Sequence, residues 1–274
     1  MKDSMLRWVV IIGGGIVFVL LLFADKTNLT NLPEAVIQPT ATGAPVSSSS
    51  LPPLGQDDML DKWISELETA EGDQKTALLD SIVTRLAERG RFAYAADYGE
   101  QLLAGDSELA TKRRVGELNY RAAKLTFVSA DPELFTKYSS RGIELLEEVS
   151  GEAPDDEATL LNLGLAYTES RQPENSMKGI LTIRKVLEIN PDNIDASFQL
   201  GMFSIQTQQW DKAQVRFEKV LELQPENAEA NLQLGYVLSQ LGDTAEARKY
   251  VEKAIALSDN PELKANARSL LNSL

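Results

Sequence analysis

KGILTIRKVLEINPDN, running from Lys178, and KAQVRFEKVLELQPEN, running from Lys212, read as two copies of one message. A third segment, RGIELLEEVSGEAPDD from Arg141, keeps the same order of small, apolar and acidic residues. Their prolines, Pro154, Pro191 and Pro225, stand 37 and then 34 residues apart. The stretch ahead of each copy repeats as well. LLNLGLAY, SFQLGMFS and NLQLGYVL bring Leu163-Gly164, Leu200-Gly201 and Leu234-Gly235 into register. Such self-similarity marks an array of units too thin to bury an apolar face alone. The three- and four-residue spacing of apolar positions predicts helices, and the prolines fall at helix ends.

Together the two halves of the message resemble the tetratricopeptide repeat, a helix–turn–helix unit of the same period. That family wants Leu-Gly at positions 7 and 8, a bulky residue at 11, Ala at 20, an aromatic at 24 and Pro at 32. The repeat Ile194–Asn227 supplies Leu200, Gly201, Ala213, Phe217, Val220 and Pro225. Ala228–Pro261 supplies Leu234, Gly235, Leu238, Ala247, Val251 and Ala254, its proline displaced to Pro261. From Glu157 the pattern gives Leu160, Leu163, Gly164 and Tyr167. After an insertion near 171–173 it resumes with Gly179, Ile183, Val186 and Pro191. Small residues at 8 and 20 let the paired helices touch, while large ones fill the gap to the next unit.

Upstream the register fades. Leu79, Ile82, Leu86, Gly90, Phe92, Ala95 and Leu102 suit one degenerate unit over residues 76–107, with Val83 where a small residue belongs. Residues 108–127 and 131–149 predict a long helix pair whose first member joins the register only through Gly116. Beyond Pro261, Leu263, Ala267, Leu270, Leu271 and Leu274 line one side of a capping helix. The resemblance therefore implies an all-α solenoid, a right-handed superhelix. It would comprise a degenerate region over 57–156, repeats at 157–193, 194–227 and 228–261, and a cap over 262–274.

Ahead of the solenoid, WVVIIGGGIVFVLLLFA from Trp8 to Ala24 carries no charge. With Met5, Leu6 and a snorkelling Arg7 it reaches the ~20 residues that span a bilayer as a helix. A single transmembrane helix in residues 5–24 is expected, with a cleaved secretory signal as the rival reading. Leu22 sits where a cleavage site wants a small residue. Lys2, Arg7 and the amino terminus precede the run and Lys26 alone closely follows it. Residues 1–24 thus read as a cytoplasmic start plus anchor, with the bulk of the chain on the far side, periplasmic in a bacterium. Residues 25–56 hold Pro33, Pro39, Pro45, Pro52, Pro53 and Ser47 to Ser50, which reads as a flexible linker.

The 274 residues include 27 Lys and Arg against 41 Asp and Glu, a net charge of −14 that argues against a nucleic-acid partner. With Cys 0 and His 0, thiol nucleophiles, disulfides, Ser-His-Asp triads and Cys/His zinc sites are excluded, as is an acylated-Cys anchor. Asp57-Asp58 and Asp155-Asp156-Glu157 tempt as acid pairs or metal ligands, but stand at helix starts, where carboxylates cap free N–H groups. Lys112-Arg113-Arg114, the densest basic cluster, reads as a solvated helix face. No cofactor or metal is expected, and no catalysis.

In tetratricopeptide proteins the first helices line a concave face, and the resemblance carries that face to Leu161, Phe198 and Leu232, to Asn162, Gln199 and Gln233, and to Leu165, Met202 and Tyr236. An apolar ladder would run beside an amide ladder, a surface for a protein or peptide segment. The two-carboxylate clamp of the family's co-chaperones has no counterpart, since those places hold Leu161, Leu165, Phe198, Met202, Glu229 and Leu232. The competing reading is that these side chains are buried by the chain itself. The functional expectation is a membrane-tethered scaffold. A self-associating oligomer is the structural alternative, and an acid-pair hydrolase the remote enzymatic one.

Overall fold

Side-chain caps set the helix starts. Asp57, Asp131, Asp156, Asn193, Asn227, Asp243 and Asn260 each accept a bond from a first-turn backbone N–H. Pro132, Pro173 and Pro261 take the first turn, where no N–H is missed. The computed structural model describes residue 54 and residues 56–128 and 131–274. The expected membrane anchor and nearly all of the linker lie outside the described residues. Among the described residues no helix is long and apolar enough to cross a membrane.

Twelve helices, and no strand, occupy the described residues. They are α1 (Asp58–Leu67), α2 (Gly72–Glu88), α3 (Phe92–Gly105), α4 (Leu109–Val128), α5 (Pro132–Glu152), α6 (Glu157–Glu169) and α7 (Pro173–Ile189), then α8 (Ile194–Gln206), α9 (Trp210–Leu223), α10 (Ala228–Gln240), α11 (Thr244–Leu257) and α12 (Pro261–Ser273). Two compact units divide between Pro191 and Asp192, so that α1–α7 fall in the first and α8–α12 in the second. In each unit consecutive helices pack against one another in chain order.

Glycine decides how close the paired helices come. A Cβ on Gly179 of α7 would stand 2.5 Å from the Gly164 carbonyl oxygen and 3.0 Å from the Thr168 nitrogen of α6. In the longer pair α4–α5, a Cβ on Gly142 would stand 3.2 Å from the Gly116 carbonyl oxygen and 3.0 Å from the Tyr120 nitrogen. In both crossings the second backbone atom lies four residues past the facing glycine. Gly116 thus takes the place of Gly164, and α4–α5 is a repeat-like pair of longer helices. In the second unit Gly201 lies under the Phe217 ring and Gly235 against Val251 and the Ala247 carbonyl.

Four of the turns share one backbone device. Gly90, Arg171, Gln208 and Gly242 each have positive φ just past the first helix of a pair. At Gln208 and Gly242 the next amides turn back to the helix, Gln209 to Ser204 and Asp243 to Leu238.

The core of the first unit gathers Leu60, Ile82, Val83, Leu86, Ala95, Ala96, Leu118, Ala122 and Tyr138. Val83, too large for the family pattern, is fully buried there, in one cluster with the smaller Ala95 and Ala96. In the second unit Phe217 is fully buried among Ala213, Leu234, Val237, Leu238 and Ala247, a burial that contributes on the order of 2–3 kcal/mol.

Charged groups tie the helices of the first unit to one another. Asp57, whose side chain is 5% exposed, caps α1 while bonding Arg85 at 2.9 Å and Arg89. The solvated basic face expected at Lys112-Arg113-Arg114 is instead an ion-paired one. Lys112 reaches Glu148 at 3.1 Å, Arg113 reaches Asp156 at 2.5 Å, and Arg114 reaches Asp80. The carboxylates that meet these cations come from neighbouring helices, which composition along one helix does not show.

Candidate functional site

In the second unit α8 rests on Phe217, with Phe198 and Met202 packed at the margin of that core. The Phe198 ring meets that of Phe217 edge-on, with centroids 5.4 Å apart and planes at 76°. Phe198, Gln199 and Met202 are left half-buried on the same turn and a half of helix. An apolar ring, a flexible thioether and an amide thus stand together on a rigid element. They could pack an apolar side chain and bond a peptide backbone.

The equivalent positions of α10 differ. Leu232 is 7% exposed, Gln233 8% and Tyr236 7%, and every residue from Ala230 to Leu238 is buried. Leu232 and Tyr236 share a core with Val251, Ala254, Ala267 and Leu270, on which Ile205, Trp210, Leu263, Leu271 and Leu274 also pack. The Trp210 ring meets Tyr236 at 6.0 Å and 84°. Repeat position alone does not distinguish α8 from α10. The distinguishing signals were Trp210 and the row of leucines after Pro261.

The first unit presents Leu161, Asn162 and Leu165 on α6, all half-buried. The Asn162 amide donates to the Glu117 carboxylate on α4 at 3.2 Å, which leaves its carbonyl oxygen free to accept. Burial raises the Glu117 carboxyl above its ordinary range, against the pull of Arg113 and Arg121. Near it Tyr120 is buried and donates to Glu169 at 3.4 Å, while Lys124 pairs with Glu169 at 3.4 Å. Arg171, at the α6–α7 turn, lies 4.2 Å from the Phe127 ring centroid and 5.0 Å from that of Phe135. Sequence reading passed over this mixed face, because Glu117 and Glu169 become informative only when α4 and α6 are set side by side.

In each acidic cluster one carboxylate is engaged within the fold. Asp156 caps α6 and binds Arg113, and Asp57 caps α1 and binds Arg85 and Arg89. Among the described residues no group of three acidic side chains is placed to hold a metal ion.

Comparison with known proteins agrees with the helix-pair architecture. The chain matches none of the curated proteins searched. A solved MamA chain from Desulfovibrio magneticus RS-1 superposes with a TM-score of 0.53 at 18% identity, covering 70% of this chain and 100% of that one. A MamA double mutant from RS-1 gives 0.52 at 17% identity, over 69% and 96%. A further MamA crystal structure gives 0.50 at 19% identity, over 68% and 97%. These likenesses are of fold. Residues 208–271, spanning α9 to α12, match the tetratricopeptide repeat family model, and this match supports a tetratricopeptide character for that stretch.

Proposed function

We propose that this chain is a membrane-tethered, non-catalytic scaffold that engages a segment of a protein partner through the first helices of its repeats. The observation that carries the reading is the half-buried trio Phe198, Gln199 and Met202, held on α8 by the Phe217 contact. Rigid placement lowers the cost of binding, because the partner's side chains meet a surface already ordered. Leu161 and Leu165, with the Asn162 carbonyl, offer the same chemistry on α6. The α10 residues Leu232, Gln233 and Tyr236 would support this surface from within rather than touch the partner. The bulk of the chain would stand beyond a single span in residues 5–24, extracytoplasmic, and serve an envelope assembly, translocation or maturation complex. Confinement to the membrane raises the local concentration of partner sites, so modest affinity suffices.

Two measurements test the two halves of this reading. A photoreactive residue in place of Gln199, in intact cells, should capture a defined protein, and Phe198→Ala with Met202→Ala should abolish that capture while helix content is kept. Capture that is unchanged by the double substitution places the partner elsewhere. After alkaline washing the full chain should stay with the membrane pellet, whereas a chain lacking residues 1–24 should not. Release of the full chain overturns the tether.

A further inference from the structure

Helix α7 turns an unusual stripe outward. Glu174, Met177, Leu181 and Arg184 are all exposed, Met177 at 63% and Leu181 at 53%. Their spacing of three, four and three residues keeps them within one narrow band of the helix, the spacing of a coiled-coil seam. The opposite side holds the buried Gly179, Ile183 and Val186. The other cations of α7 are already committed within the chain. Lys178 bonds Glu147 at 2.6 Å and lies over the Tyr167 ring, and Lys185 bonds the Pro154 carbonyl at 2.6 Å. Glu174 and Arg184 are left without an ion-pair partner among the described residues.

The stripe is symmetric about residue 179. Met177 and Leu181 lie two residues to either side of that point, and Glu174 and Arg184 lie five to either side. A second α7 laid antiparallel with its own residue 179 at the same level sets Met177 against Leu181 twice. The same alignment sets Glu174 against Arg184 twice. Two-fold symmetry requires a self-complementary patch, and opposite charges flanking an apolar centre supply one. We propose that two copies of this chain pair through α7 in this antiparallel register. The interface is small, so the dimer is weak, and the two charge pairs set its register rather than its strength. This pairing stands independently of any partner bound on α8.

The absence of cysteine makes the test clean, since any introduced thiol is the only one present. Met177→Cys and Leu181→Cys full-length chains, mixed in mild detergent and oxidised, should crosslink to each other. Val215→Cys, equally exposed at 62% but on α9, should stay uncrosslinked. In sedimentation equilibrium, Glu174→Arg and Arg184→Glu should each weaken the dimer by about tenfold or more through like-charge contact. Mixing the two variants should restore it as a heterodimer. All four positions are exposed, so the substitutions should leave helix content and melting unchanged. Crosslinking no greater than that of Val215→Cys, or charge variants that do not rescue each other, overturns the proposal.

Discussion

At Gly179 an added Cβ would press on backbone atoms of the facing helix, the Gly164 carbonyl oxygen at 2.5 Å and the Thr168 nitrogen at 3.0 Å. Neither can rotate away, so α6 and α7 would have to separate. Gly179→Ala should destabilise the chain by about 1–3 kcal/mol, the usual cost of overpacking. Gly151, near the end of α5, has nothing within 4 Å of its missing Cβ. Gly151→Ala should therefore stabilise by about 0.5–1 kcal/mol through helix propensity. One substitution type then changes sign with position, and chemical denaturation of the two variants reads it directly. Equal effects would mean that close helix approach is not what glycine provides at 179. Gln208 makes the complementary case, because its φ of 56° is a conformation that L residues enter at a cost. Gln208→Gly should raise stability by about 1 kcal/mol, unlike the same change on an exposed helical surface, which should lower it.

Single elements are held in place by groups with two duties, and Asp57 is the clearest. Its carboxylate caps α1 through the Leu60 amide and bonds Arg85 of α2 and Arg89 just past the end of that helix. The Arg85 hydrogen bond, before other causes, lowers its pKa from the ordinary 3.8 to about 2. Because the folded value is the lower one, the charged form stabilises the fold fully above about pH 4 and progressively less as pH falls through 2. Asp57→Asn should lower the melting temperature at neutral pH, and the two melting curves should converge as pH drops from about 4 to 2. Melting curves that stay parallel across that window would show that the Asp57 charge adds nothing. The cap itself was legible in the sequence, since an Asp before a helical period announces it. The arginines were not, because Arg85 and Arg89 lie 28 and 32 residues away and are recognisable only once α1 and α2 are packed.

For the whole molecule, periodicity conveyed more than any single residue did. Recurring Leu-Gly pairs located α6, α8 and α10 and the glycines on which their partners rest. The sequence pattern did not separate α8, where the candidate partner-binding positions stay half-buried, from α10, where they are buried. That difference depends on α12, whose Ala267 and Leu270 are buried against Leu232, Tyr236, Val251 and Ala254. An end unit differs from an inner one only through the segment packed on its outer side, so its repeat positions look ordinary while its environment is not. This gives the cap an energetic signature. Leu270 is 3% exposed, and Leu270→Ala should cost about 2–4 kcal/mol. Arg268→Ala, on the exposed side of the same helix, should stay within about 0.5 kcal/mol. Removing residues 261–274 should go further, lowering the melting temperature and exposing the apolar side of α10 and α11, which dye binding and concentration-dependent association would both report. A truncated chain that melts with the full one would mean that α10 is covered from elsewhere, and Leu232 and Tyr236 would then return as candidates for the partner surface.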